Sequence, residues 1–126
     1  MARPPKELTE RELEVMHAFW QGGEATVAEA RDRLAATGLD LTYPTVANLV
    51  RILHDKGFLR ATNAERPFRY RAARSYEEVS GRLLGDVLER VFLGSREQLL
   101  VRLVEQRKLT ARERAVLEEV LKEAGE

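Results

Sequence analysis

Apolar side chains recur at helical spacing in the segment 43–56. The apolar positions follow the order i, i+3, i+4 and i+7: Val46, Leu49, Val50 and Leu53. Polar side chains share the opposite side of the same turns: Thr45, Asn48, Arg51 and Asp55. This spacing predicts an amphipathic helix that buries one face in a core and leaves the other face open to a ligand.

Two short runs directly after this helix change to the period of a strand. Residues 58–62 (FLRAT) and 68–72 (FRYRA) alternate large apolar with basic side chains, and the polar segment 63–67 separates them. The alternation predicts an antiparallel hairpin. We expect Phe58, Phe68 and Tyr70 to pack inward, with Arg69 and Arg71 on the other face.

The remaining helices are marked by a Ser or Thr followed three residues later by Glu or Gln, which is the capping-box pattern. These pairs are Thr9…Glu12, Thr26…Glu29, Ser75…Glu78, Ser95…Gln98 and Thr110…Glu113. The helix after Thr42 instead has Pro44 in its first turn, where a missing N–H costs nothing. The predicted helices are 10–21, 27–36, 43–56, 76–93, 96–106 and 111–124, with strands near 58–62 and 68–72. The first helix is predicted to bury Leu13, Met16, Phe19 and Trp20.

The order of these elements predicts two domains. Helices 27–36 and 43–56, joined by a short connection and followed by an Arg-rich hairpin, have the layout of a winged helix-turn-helix. The fold is therefore expected to be mainly α with a small β-wing. Residues 1–74 would form the winged-helix DNA-binding domain, and residues 75–126 a C-terminal helical dimerisation domain.

Apolar stripes in the C-terminal segment indicate a partner. About fifty residues in three helices bury too small a core to be stable alone. A second copy of the chain is the simplest cover for these stripes. The residues expected at the dimer interface are Leu83, Val87, Leu88, Val91, Leu100, Leu103, Leu117, Val120 and Leu121.

Charge is balanced over the whole chain, with 21 basic and 21 acidic residues, but it is unevenly placed. Residues 41–74 hold seven Arg or Lys against two acidic residues, a net charge of +5. A basic surface at a helix-turn-helix indicates contact with the phosphates of double-stranded DNA. We expect base contacts from Thr42, Tyr43, Thr45 and Asn48. The other expected DNA-binding residues are Arg51, Arg66, Arg69 and Arg71.

Other kinds of chemistry find little support in the sequence. The chain has no Cys, and its two histidines, His17 and His54, have no second ligand at a metal-binding spacing. Gly-rich phosphate loops and the G-x-S-x-G motif are absent from the sequence. We therefore expect no enzymatic activity, no metal and no cofactor. Without a signal peptide or an apolar stretch of membrane-spanning length, the expectation is a cytoplasmic protein with no membrane insertion.

With these motifs placed, the sequence resembles the penicillinase-repressor (BlaI/MecI) family of bacterial transcriptional regulators. The resemblance rests on LTERELEVMHAFW, ATVAEARDRL, LTYPTVANLVRILHDKGFL, the FRYRA wing and the tail LLVRLVEQRKLTARERAVLEEVL. It implies a homodimeric repressor that binds a near-palindromic operator through two winged helices. It also implies control by a membrane sensor metalloprotease, with cleavage in the C-terminal domain and release from DNA.

Some positions depart from that family's pattern. Staphylococcal members carry an Asn-Phe scissile pair where this sequence has Arg102-Leu103. The copper-responsive branch binds metal through C-terminal cysteines, which this chain lacks. Ala47 stands where other members often carry a longer side chain, so the operator sequence does not transfer. The inducing signal therefore stays open between proteolysis and another mechanism. Two other functions also stay open: a ligand-responsive MarR-like regulator, and a winged-helix protein-interaction module that does not bind DNA.

Overall fold

The computed structural model describes residues 7–125. Six helices and three short strands follow one another along this part of the chain. In order they are α1 (Glu10–Gly22), β1 (Ala25–Thr26), α2 (Val27–Ala36), α3 (Tyr43–Asp55), β2 (Leu59–Ala61), β3 (Arg69–Ala72), α4 (Tyr76–Arg90), α5 (Arg96–Gln106) and α6 (Ala111–Ala124). The predicted fold class, mainly α with a small β-wing, is confirmed.

The helix starts follow the predicted capping chemistry. Complete capping boxes form at Thr9, Thr26 and Thr110. Each Thr hydroxyl accepts a hydrogen bond from the N3 amide, and the N3 glutamate carboxylate accepts one from the Thr amide. At Ser75 the hydroxyl accepts from the Glu78 amide at 3.0 Å, while the Glu78 carboxylate pairs with Arg74 at 2.8 Å. An N-cap of this kind stabilises a helix by about 1 kcal/mol, so these ends are set locally.

The wing is part of a three-stranded antiparallel sheet in the order β1-β3-β2. Ala25 and Thr26 pair with Tyr70 and Arg69, and β2 pairs with the other edge of β3. Strand β1 was not predicted from the sequence, because two residues are too few to show a period and Thr26 also serves as the N-cap of α2. This strand covers an edge of β3 that would otherwise expose unpaired backbone groups.

The chain divides into two compact units, and the first ends at Ser80. Its core is formed where α1, α2, α3 and the sheet meet. The buried apolar side chains are Val15, Met16, Ala18, Phe19, Ala25, Ala30, Leu34, Val46, Val50, Leu53, Phe58, Leu59 and Val79. The predicted burial of Met16, Phe19 and Phe58 is thus confirmed.

Several aromatic and aliphatic side chains lie closer to the surface than predicted. Leu13, Trp20, Phe68 and Tyr70 are only half-buried. The Trp20 indole N–H donates to the Arg74 carbonyl at 2.9 Å, which satisfies its polar end while the ring remains partly exposed. Val15 and Ala18 take the core positions on α1 instead.

Among residues 7–80, one charged side chain is buried. Glu12 is 4% exposed, and its Oε1 accepts a bond from Lys56 Nζ at 2.8 Å. Lys56 also donates to the Glu7 carbonyl at 2.9 Å. Burial by itself would raise the pKa of Glu12, but the hydrogen bonds from Lys56 and from the Thr9 amide outweigh it and lower that pKa below its ordinary value. The pair ties the start of α1 to the end of α3.

The second unit begins at Gly81 and contains the rest of α4, together with α5 and α6. Helix α4 ends at Arg90, three residues earlier than predicted, because Leu93 adopts a left-handed conformation (φ 52°) and Gly94 N–H bonds back to the Leu88 carbonyl. Helices α5 and α6 match their predicted bounds. Most of the predicted interface residues are exposed on the single chain: Val87, Val91, Leu100, Leu103, Leu117, Val120 and Leu121. Leu83 and Leu88 are half-buried.

Candidate nucleic-acid interface

The polar face of α3 is open to solvent, as predicted. Val46, Val50 and Leu53 point into the core, whereas Thr45 and Asn48 are exposed on the other side of the helix. Arg51 and Asp55 continue this exposed face, and Tyr43 at its start is 47% exposed. Hydroxyl, phenol and amide groups on one helix face offer the donors and acceptors that base edges in a major groove can pair with.

Hydrogen bonds along this face order its side chains. The Thr42 and Thr45 hydroxyls lie 3.0 Å apart, and Arg51 Nη2 donates to Asn48 Oδ1 at 2.6 Å. Arg51 Nη1 also lies 3.5 Å from the Asp55 carboxylate. The bond from Arg51 uses Asn48 Oδ1, and within residues 7–125 the two N–H donors of the Asn48 amide have no hydrogen-bond partner.

The turn of the wing is organised by one side chain, Asn63. Its Nδ2 donates to the carbonyls of Glu65 at 3.1 Å and Pro67 at 3.2 Å, and its Oδ1 accepts from the Arg69 amide at 2.8 Å. These bonds satisfy backbone groups that a five-residue turn would otherwise leave open. In the same turn the Arg66 guanidinium lies 5.7 Å from the Phe68 ring centroid.

The two faces of the wing sheet differ as the alternation predicted. The buried Leu59 pairs with the half-buried Ala72, and the exposed Ala61 pairs with the half-buried Tyr70. Arg60 pairs directly with Arg71, so both guanidinium groups rise from the exposed side, where Arg69 also lies. Arg60 was absent from the residues expected to contact DNA. The hairpin register, which follows from the turn length, is the signal that would have revealed it.

Arg69 is held by two carboxylates. Its Nε donates to Glu24 Oε2 at 2.8 Å, and its Nη1 lies 3.5 Å from Glu29 Oε1. The bond to Glu24 raises the pKa of Arg69. The Thr26 amide, followed by the charges of Arg69 and Arg33, lowers the pKa of Glu29. Arg69 and Glu29 therefore stay charged at neutral pH.

A groove of about 630 Å³ runs between the start of α2, the outer face of α3 and the wing turn. It brings together three of the predicted contact residues, Tyr43, Arg51 and Arg66, with Phe68 and Tyr70 forming one wall. Ala47 also lines this groove. Arg69 and Arg71 are not among the lining residues and lie on the sheet instead.

Both histidines have structural neighbours. The His17 ring packs edge-on against Trp20 at 5.3 Å, and the His54 ring packs against Tyr70 at 6.0 Å. Within residues 7–125, His, Cys, Asp and Glu side chains form no group of three or more that could hold a metal ion. In the same part of the chain, no helix is both long enough and apolar enough to cross a membrane.

Comparison with known proteins places the chain in a family. No curated protein sequence matches it. Among solved structures, the reduced form of MarR from E. coli is similar, with a TM-score of 0.48 and 20% sequence identity over 95% of this chain and 79% of that one. The profile of the penicillinase repressor family matches residues 8–123, which is nearly the full length. The chain therefore belongs to the penicillinase repressor family and is a winged-helix, DNA-binding transcriptional regulator.

Proposed function

We propose that this protein is a homodimeric repressor that binds a near-palindromic operator, with one winged helix on each half-site. The observation that carries this proposal is the exposed, hydrogen-bonded polar face of α3 beside an arginine-rich wing. In this role the protein acts by binding DNA in the cytoplasm and catalyses no reaction. It needs no metal or cofactor for the contact itself.

Helix α3 would lie in the major groove with its N-terminal half towards the bases. Thr42, Tyr43, Thr45 and Asn48 supply the base contacts, and the Asn48 amide carries the donor and the acceptor that pair with adenine once Arg51 releases its oxygen. Arg51 and Arg66 line the protein groove between α2, α3 and the wing turn, and they would contact phosphate. Phosphate contacts fix the register of the protein on the duplex, whereas the α3 side chains select the sequence.

The exposed apolar side chains of the second unit support the proposed dimer. Leu100 is 55% exposed, Leu117 40% and Leu121 58%, although all three lie on amphipathic helices. A second copy of the chain would cover them and would present two α3 helices to two half-sites. Simultaneous engagement of both half-sites makes operator affinity depend steeply on the dimer.

Release from DNA is proposed to follow proteolysis or another signal that disrupts the dimer. Residues 107–110, between α5 and α6, are non-helical, and backbone in such an exposed connection is a better protease substrate than a helix. Arg102-Leu103, the position of the family's scissile pair, lies within α5. A membrane sensor metalloprotease, implied by the family resemblance, is a candidate partner at either position.

The test begins with selection of operator fragments from genomic DNA, followed by fluorescence anisotropy on the selected site. Asn48→Ala should relax the preference at one base pair per half-site by about 1–3 kcal/mol, while binding elsewhere in the site keeps its preferences. Gln21→Ala, at an exposed position of α1, is the matched control and should leave the preference unchanged. If the wild type selects no fragment and shows no salt-dependent binding, the protein-interaction alternative is favoured. If a small molecule releases the intact protein from the operator, the MarR-like alternative is favoured.

A further inference from the structure

We propose that the arginines of the wing sheet have two different roles. Arg60 and Arg71 together clamp backbone phosphate of the operator, whereas Arg69 is a positioning residue that holds the wing against the start of α2. The inference rests on the proposed DNA-binding function and specifies how one part of the interface works.

The clamp is inferred from a cross-strand pair of arginines. Arg60 and Arg71 are directly opposite each other in the β2–β3 register, and both are exposed. Side chains at such positions have Cβ atoms about 4.5–5.5 Å apart, and like charges there destabilise the sheet. Within residues 7–125 neither guanidinium forms an ion pair with a carboxylate. An anion between the two groups would remove the repulsion.

The chemistry of the pair matches phosphate. A guanidinium presents two parallel N–H donors that fit two oxygens of a phosphate, and two guanidinium groups side by side can hold one phosphate from both flanks. The pair lies on the strands that support the wing, and Arg66 in the turn adds a third positive charge. Operator DNA supplies an anion of this kind in a continuous row.

Arg69 lies on the same face of β3 as Arg71 but has different neighbours. Glu24 and Glu29 hold its guanidinium from two sides, at 2.8 and 3.5 Å. Glu29 is also the N3 residue of the α2 capping box and accepts from the Thr26 amide at 2.9 Å. A phosphate approaching Arg69 would meet two negative charges, so this arginine is a poor phosphate ligand.

Arg69 instead connects three elements. The pairing of Thr26 with Arg69 brings the carboxylates before and after β1 to the same side of the sheet. The resulting ion pairs fix β3, and with it Arg71, relative to the start of α2. Loss of Arg69 should therefore weaken DNA binding through displacement of the wing.

The experiment measures operator affinity as a function of KCl concentration for the full-length protein. Arg60→Gln and Arg71→Gln should each reduce the slope of log K against log[salt] by about one and weaken binding roughly tenfold near 0.1 M salt. Arg69→Gln should weaken binding with the slope unchanged, and Arg69→Lys should restore part of the loss. Arg11→Gln, on α1, controls for the removal of one positive charge and should keep the wild-type slope.

Glu24→Gln distinguishes a positioning role of Arg69 from a phosphate-binding role, because the two roles predict opposite changes in operator affinity. If Arg69 positions the wing, loss of its 2.8 Å partner weakens operator binding relative to Glu65→Gln, which removes an equal charge from the wing turn. If Arg69 were a phosphate ligand held back by Glu24, the same change would tighten binding and steepen the slope. Thermal melting of each variant shows whether the fold is retained.

The outcomes distinguish the two proposals. A wild type without salt-dependent DNA binding overturns the proposed function itself. A wild type that binds with a steep slope, together with Arg60→Gln and Arg71→Gln variants that retain that slope, overturns the phosphate clamp alone. A steeper slope and tighter binding in Glu24→Gln than in Glu65→Gln overturns the positioning role of Arg69.

Discussion

The two compact units contain the same kind of amphipathic helix but use it differently. In the unit that ends at Ser80, α1, α2 and α3 bury their apolar faces against one another and against the sheet. In the unit that begins at Gly81, many large apolar side chains of α4, α5 and α6 remain 39–58% exposed. Among the described residues, every fully buried apolar side chain lies at or before Val79.

The difference shows where the chain completes its own core and where it leaves apolar side chains that the proposed dimer would cover. The first unit has a three-stranded sheet and three helices to enclose Phe19, Met16 and Leu53. The second has three helices of similar length and no large aromatic side chain apart from Phe92. Too little apolar surface can be enclosed by so short a segment. Stability of the second unit should therefore depend on protein concentration, whereas that of the first should not.

The largest expected effect comes from removal of α6. Truncation after Gln106 deletes a whole amphipathic helix from the proposed shared core, so the protein should become monomeric. Operator binding should weaken about tenfold or more, because two half-sites are no longer engaged by one molecule. Analytical ultracentrifugation and anisotropy on the same sample would check both. A truncated protein that still dimerises and binds at full strength would show that α6 is not needed for the second unit.

A single charge on the exposed apolar stripe should have the next largest effect. Leu117→Asp would place an unpaired carboxylate in the proposed dimer core, at a cost of several kcal/mol of dimerisation free energy. Ala115→Asp, about half a turn away on α6, is the matched control and should leave the dimer intact. Sedimentation of the two variants at micromolar concentration measures the difference. A well-folded monomer for the wild type itself would contradict the proposed interface.

A substitution in the core of the first unit tests whether the stability of that unit is independent of protein concentration. Leu53 is completely buried, so Leu53→Ala should lower the free energy of unfolding by about 2–5 kcal/mol. This loss should not vary with protein concentration, because the contacts are all within one chain. Denaturant unfolding at two protein concentrations, with the exposed Gln21→Ala as control, would check it. A strongly concentration-dependent loss would mean that the two units are stabilised by the same intermolecular contacts.

The smallest expected effect concerns pH and the buried Glu12. Its pKa is lower in the folded protein than the ordinary value of 4.5, so its contribution to stability is present above that pH and is lost as the pH falls below it. Glu12→Gln should lower stability at pH 7 by about 1–3 kcal/mol and flatten the acid limb of the melting profile. Glu65→Gln, which changes an exposed carboxylate, should leave the profile unaltered. An unchanged acid limb in Glu12→Gln would rule out this pair as the acid-sensitive link.

Much of the first unit could be predicted because its signals are local. The capping boxes at Thr9, Thr26 and Thr110 fix helix starts through contacts three residues apart, and the period of Val46, Val50 and Leu53 fixes the buried face of α3. The polar face of α3 follows from the same period. The polar face of α3 is therefore the part of the candidate interface that the sequence predicted directly.

Other parts of the interface depend on pairings between distant residues. Strand β1 is only two residues long and forms by pairing with the edge of β3. Because this pairing does not show in the sequence, the ion pair between Arg69 and Glu24, which lies 45 positions earlier, could not be predicted. The opposition of Arg60 and Arg71 required the register of the hairpin. Trp20 was expected in the core, but its N–H donates to the carbonyl of Arg74, 54 residues later, and its ring is only half-buried.

The sequence by itself determined which faces of the helices are apolar, where the helices begin and that positive charge is concentrated in residues 41–74, because spacing and composition within a few turns decide these properties. The tertiary structure alone decided which charges are neutralised and which apolar faces stay open. The physical reason is that an ion pair or a covered surface needs two groups whose approach depends on the whole fold. Arg69 and Arg71, two residues apart on one strand, show this most directly: Arg69 is paired with two carboxylates and Arg71 faces another arginine.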